Sequence, residues 1–196
     1  MIKIAIIGDI GSGKSFVAKQ FLYPVFDADQ EVKKIYLNDQ KCFKKLKKKL
    51  PKFISSFPIK KNEIGKAILE NKNNLKKINN IVHPIIRTGM KKFFKKNKNK
   101  KIIVLDIPLL LENKLNKKNY ILIFVSARKS KIMKNLKNRK NYNPQILKVL
   151  KKFQLPLELK RKKSNYIINN NFRSLSLKKS VKILKKKILI NERSNT

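Results

Sequence analysis

Four β-branched residues, Ile2, Ile4, Ile6 and Ile7, form a short apolar run of the length of a buried parallel strand. The chain then reads Gly8-Asp9-Ile10-Gly11-Ser12-Gly13-Lys14-Ser15, which fits G-x-x-x-x-G-K-[ST] at every fixed position. No other stretch constrains the fold as tightly, because a strand that enters such a loop and leaves it as a helix belongs to a parallel α/β sheet. The glycines let the backbone take positive φ and approach a ligand closely, so that N–H groups turn inward as an anion nest. Lys14 supplies positive charge for β- and γ-phosphates, and the Ser15 hydroxyl is placed to ligate Mg²⁺. The helix expected from Gly13 onward aims its positive dipole end at the same phosphates. Gly8, Gly11, Ser12, Gly13, Lys14, Ser15 and Phe16 are therefore the candidate nucleotide-binding residues.

A chain of 196 residues with 41% hydrophobic content has the size of one domain, or of one domain with insertions. No run approaches the ~20 apolar residues that span a bilayer, and the N-terminus reads as a strand rather than a signal peptide. A single cysteine, Cys42, excludes an internal disulfide, and a cytoplasmic location is the expectation. The net charge of +40 points at first to nucleic acid. The lysines, however, are spread along the whole chain and mixed with Asn and Ile, as in KKFFKKNKNKK, without aromatic interleaving. This reads as compositional drift on tolerant surfaces. Nonspecific affinity for polyanions is expected, a dedicated nucleic-acid partner is not, and nothing calls for a membrane.

The rest of the chain alternates strand and helix signals. Phe16, Val17, Phe21 and Leu22 suggest the apolar stripe of a helix, and Val25-Phe26 a short strand beside the P-loop strand, running into Asp27-Ala28-Asp29. Residues 41–98 read as helical and basic, broken at Pro51 and Pro58, with a helix start or kink expected at Pro84. Ile102–Asp106 is an apolar strand ending in a carboxylate, and Tyr120–Val125 is the next strand. An amphipathic helix over 128–139, a helix opened by Pro144, a last strand at Tyr166–Asn169 and a helix capped by Ser174 complete the order. The expected architecture is a parallel five-stranded α/β sheet flanked by helices, with a core at about 1–40, 100–138 and 164–196, a helical insertion that covers the substrate at about 41–98 and a basic segment at about 139–163.

The P-loop alone leaves the reaction open. The chain has no Asn-Lys-x-Asp guanine-reading element and no second module of a motor, which favours a small kinase working on Mg·ATP. Asp27 and Asp29 are the obvious carboxylates for an acceptor hydroxyl.

At this point the chain resembles the dephospho-coenzyme A kinases. The resemblance rests on GDIGSGKS at 8–15, FDAD at 26–29, HP at 83–84, DIPLLLEN at 106–113, the basic break after Arg139, Gln154 with Lys160, and YIINN at 166–170. It implies a P-loop kinase fold in which 41–98 binds the substrate and about 139–163 is a small basic lid, and ATP-dependent phosphorylation of the ribose 3′-hydroxyl of dephospho-CoA, the last step of coenzyme A biosynthesis, in a monomer or small homo-oligomer. It implies Asp29 as the catalytic carboxylate, Asp27 as support for the loop or the Mg²⁺ shell, and His83 as a substrate-pocket histidine. Pro108, Leu109 and Glu112 would form the acceptor wall, with Asp106 as a water-mediated Mg²⁺ ligand. Arg139 and Lys140 would form the lid that supplies transition-state charge together with Lys14. Lys33 stands where the family usually has Arg, keeping the charge but losing the bidentate fork for a substrate phosphate. Phe16 replaces the usual Thr at a position expected to pack, and Asn165 replaces the usual Asp on what is expected to be the adenine side. The alternatives are another small nucleoside or nucleotide kinase, or a basic protein that binds ATP and nucleic acid.

Overall fold

The architecture was obtained as a computed structural model, which describes residues 1–113, 115–139 and 142–194. Strand β1 (Ile2–Gly8) is the middle of a five-stranded parallel sheet ordered β2-β3-β1-β4-β5, with β2 at Val25–Asp27, β3 at Ile102–Asp106, β4 at Tyr120–Ser126 and β5 at Tyr166–Asn169. Ile4, Ile6, Ile102, Ile103, Val104, Leu105 and Ile123 are fully buried, the signature of strands covered on both faces. The strand order turns at β1, which has β3 and β2 on one side and β4 and β5 on the other, so the crevice at its C-terminal end is where such sheets bind ligands. The expected sheet is therefore present, with one correction. Strand β2 does not lie beside the P-loop strand: β3 separates them, and the register pairs Asp106 with Ile6 on one side and with Asp27 on the other.

Contacts divide the chain into two units. The first comprises residues 1–27, 99–142 and 154–196, and the second residues 28–98 and 143–153. In the first, the sheet is flanked by α1 (Lys14–Gln20), α6 (Lys129–Lys137), α8 (Leu157–Lys162) and α9 (Ser174–Ser194). Val17, Ala18 and Phe21 from α1 and its end join Leu177, Val181 and Ile188 of α9 in one core with the sheet. The stripe expected on α1 is only half present. Phe16 is 40% exposed and Leu22, at φ 58°, is 82% exposed, because the face set by Val17, Ala18 and Phe21 turns position 16 outward and the helix ends before position 22. Phe16 is thus not the packing residue that the sequence indicates.

The second unit is all helical: α2 (Ala28–Asn38), α3 (Gln40–Lys49), α4 (Lys61–Glu70), α5 (Lys72–Lys96) and α7 (Pro144–Lys152). Asp39 caps α3 by accepting from the Cys42 N–H at 2.8 Å, and Asn143 caps α7 by accepting from Gln145 and Ile146. Cys42, Leu46 and Ile54 are fully buried, and Ile35, Ile78 and Val82 nearly so. Of the helix start or kink expected at Pro84, a start does not occur: α5 runs 25 residues through it. Ile78 and Val82 before the proline and Ile86 after it are all buried on one face, and that packing outweighs the lost N–H.

Candidate functional site

The loop after β1 has the conformation its glycines allow. Gly11 and Gly13 stand at φ 82° and 90°, in the region that other residues enter only with strain. Gly11 also has no room for a Cβ, which would fall 2.8 Å from Leu136 Cγ of α6. Helix α1 begins without a side-chain cap bond and without an acidic residue in its first turn, so its own first turn sets no negative charge against the positive dipole end. The Ser12 hydroxyl is fully buried and has no hydrogen-bond partner among the described residues. Lys14 folds back on the loop, its Nζ donating to the carbonyls of Asp9 at 2.7 Å and Gly8 at 3.4 Å. A phosphate chain offers that ammonium charged acceptors in place of neutral carbonyls, an exchange that strengthens each hydrogen bond.

A residue that the sequence did not single out secures this loop. Asn170 follows β5 directly, is 5% exposed, and donates its side-chain amide to the Ser12 carbonyl at 2.8 Å. Its own N–H donates to Ser126 and its Oδ1 accepts from the Phe172 N–H. A side chain at position 13 would run into the Asn170 amide, so the placement of Asn170 depends on a glycine there. The available signal was an Asn directly after the last strand of a P-loop sheet. Asn165, by contrast, lies at the other end of β5: its N–H donates to the Leu122 carbonyl and its Oδ1 accepts from the Leu122 N–H. It stands where the pairing of β5 with β4 begins, at the end of the strand away from the phosphate loop.

The remaining candidates fall in both units. In the first, Asp106 is 4% exposed and stands in register beside Asp27, which brings two carboxylates together at the strand ends. Ser15 and Arg139 are exposed, and Lys140 lies outside the described residues. Pro108 is exposed, and Leu109 takes φ 56°, the kind of strained turn that clusters at functional sites. A small cavity of about 10 Å³ is lined by Gly8 and Lys14 on one side and by Ile107, Leu109, Leu110, Leu111 and Glu112 on the other. Glu112 does not present an open carboxylate. Its Oε1 lies 2.6 Å from the Lys160 ammonium and accepts from the Leu155 N–H at 3.0 Å. In the second unit, Asp29 and Lys33 are exposed on α2, four residues apart and therefore on one face. His83 is half-buried on α5, and burial, then the neighbouring Arg87, hold its imidazole below the ordinary histidine value.

The family model for dephospho-CoA kinase matches residues 2–175. The chain belongs to the dephospho-CoA kinase family. It is 32% identical over 173 residues to the dephospho-CoA kinase of a Wolbachia from Brugia malayi, a match covering 86% of this chain and 88% of that one. It is 33% identical, with the same coverage, to the dephospho-CoA kinase of Wolbachia pipientis wMel. Among solved structures, a Thermus thermophilus protein superposes with a TM-score of 0.78 at 24% identity, covering 97% of each chain. The dephospho-CoA kinase of Campylobacter jejuni does so with 0.64 at 21%, covering 95% of this chain and 96% of that one. These two likenesses speak to the fold. As a dephospho-CoA kinase, the protein is an ATP-dependent phosphotransferase, and the family's role is the final step of coenzyme A synthesis.

Proposed function

We propose that this kinase moves the γ-phosphoryl group of ATP to the ribose 3′-hydroxyl of dephospho-CoA, with Asp29 as the carboxylate that orients the hydroxyl and takes its proton. A bond forms between the 3′-oxygen and the γ-phosphorus, the bond from that phosphorus to the β–γ bridging oxygen breaks, and ADP leaves. Lys14 leaves the Asp9 carbonyl for the β- and γ-phosphates, and the positive-φ glycine loop turns its N–H groups to them. Arg139 contributes charge from the lid. Lys33 and His83 bind the acceptor, while Pro108 and Leu109 line its wall. The observation that carries this reading is the cavity in which Gly8 and Lys14 face the turn 107–112, since it sets the phosphate loop against the DIPLLLEN element.

The residues present suit Mg²⁺. Ser15 offers a hydroxyl at the start of α1, and Asp106 a carboxylate beside Asp27. Among the described residues there is no group of three or more His, Cys, Asp or Glu that could enclose a metal. That sparse donor set fits an ion that keeps waters and phosphate oxygens in its shell. When bound, such an ion neutralises charge on the transferring phosphoryl group.

A substrate panel tests the reading. With ATP, dephospho-CoA is expected to give CoA and ADP at least tenfold faster than any nucleoside or nucleoside monophosphate, and the reverse preference would overturn it. We further infer a monomer or small homo-oligomer in the cytoplasm; no helix among the described residues is long and apolar enough to cross a membrane. Oligonucleotide binding is expected to vanish above ~0.2 M salt, as bare counterion release dictates.

A further inference from the structure

Lys160 is 3% exposed and Glu112 9%, and their charged atoms meet at 2.6 Å. Two full charges are rarely taken so far from water unless they are paired, and the pair is unusual in its location. Lys160 and Glu112 line the same cavity of about 10 Å³ as Gly8 and Lys14, scarcely room for one water molecule. Little solvent therefore stands between this pair and the mouth of the phosphate loop, and a net charge left there acts at reduced dielectric. The backbone is tied into the same knot. Leu155 N–H donates to the Glu112 oxygen that Lys160 uses, and Gln154 Nε2 donates to the Gly8 carbonyl at 3.1 Å. The Lys14 ammonium donates to that same carbonyl.

We propose that Glu112 and Lys160 are positioning residues that set the electrostatic balance of the phosphate site. Lys160 brings a second cation into the wall that Lys14 shares, and Glu112 neutralises it in place, so that the pair adds no net charge beside the phosphates and Lys14 alone supplies it. This deepens the kinase reading and rests on it. Removing one partner then has a sign. Glu112→Gln leaves a buried ammonium beside the loop, and the phosphates of a nucleotide become its counter-charge. Lys160→Met leaves a buried carboxylate, which repels them.

The test is calorimetric titration of ADP into the wild-type protein, both single variants and the double variant. Glu112→Gln is expected to tighten ADP binding threefold or more, Lys160→Met to weaken it threefold or more, and the double variant to return within twofold of wild type. A pair that merely holds the fold would weaken binding in both single variants, and shifts of the same sign, or none, overturn the proposal. If a single variant does not fold, the charge-reversed variant Glu112→Lys with Lys160→Glu carries the test. It keeps the pair and is expected within threefold of wild type, and a folded protein with a tenfold loss overturns the proposal. Wild-type protein that binds no ADP would instead count against the kinase function itself.

Discussion

Asn170, at the end of the last strand, holds the main-chain carbonyl of Ser12 through its side-chain amide at 2.8 Å, 158 residues away in sequence. The phosphate loop is thus braced by the far end of the chain. Asn170→Ala removes that brace and leaves a buried carbonyl unpaired, at a cost of about 1–3 kcal/mol. Part of that falls on the loop, so the KM for ATP is expected to rise about tenfold, the equivalent of about 1.4 kcal/mol. Gly13→Ala should do similar damage, because the added methyl meets the same amide at a φ of 90°. The two losses should be less than additive in a double-mutant cycle read by ATP affinity.

Asp29 stands in the first turn of α2 and is exposed, as a residue that meets a substrate hydroxyl must be. Asp29→Asn keeps the shape and removes the base. The expected result is a fall in kcat of about 10²–10⁴ with the ADP dissociation constant unchanged within twofold. Near-normal turnover would take the proton-accepting role away from Asp29.

His83 is the one histidine in the sequence, so its titration can be followed by NMR without ambiguity. Burial, then Arg87, lowers its pKa, which makes the folded protein bind its proton less readily than the unfolded chain does. The stability attached to this group is therefore complete above the unfolded value of about 6.5 and is lost as pH falls from there through the depressed folded value. Arg87→Gln removes the smaller of the two causes. The imidazole is expected to titrate higher than in wild type but still below the ordinary value, and the acid-side loss of stability should shrink in step.

Glu63 holds the loop before α4, with Oε1 accepting from the N–H of Ser55 at 3.2 Å and its hydroxyl at 2.6 Å, and Oε2 accepting from the Lys60 N–H. Its side chain is 9% exposed, so Glu63→Ala strands these donors. A loss of about 2 kcal/mol is expected. For a chain of this length that lowers Tm by about 4–8 °C, with the ADP affinity of the folded protein unaffected.

How much of this was legible depends on whether the signal was local. The run from Ile2 to Ser15 carries its structure in its own residues, and so does Pro144 at a helix start. The apolar stretch 102–106 does the same. Pro84 suggested a helix start because that is its local preference, while Ile78, Val82 and Ile86 carry the helix through it by packing on one face. Phe16 and Leu22 misled because a hydrophobic residue next to a stripe looks like part of it until the helix phase is fixed. Asn165, Asn170 and Lys160 gain their roles only from partners more than forty residues away. No periodicity or spacing encodes such partners, although the family's motifs had marked the neighbourhoods.

The placement of β3 between β1 and β2 makes Asp106 a shared origin for two neighbours, opposite Ile6 on one side and Asp27 on the other. Its two alignments cannot be adjusted separately. The stretch ahead of β3 is tied in as well, since the Lys101 carbonyl accepts from the Ile2 N–H and Asn97 is buried at the end of α5. A single-residue deletion inside β3 would slide the carboxylate past the glycine loop and past Asp27 in one movement, and turn every following side chain to the opposite face of the sheet. The strand serves as the molecule's ruler.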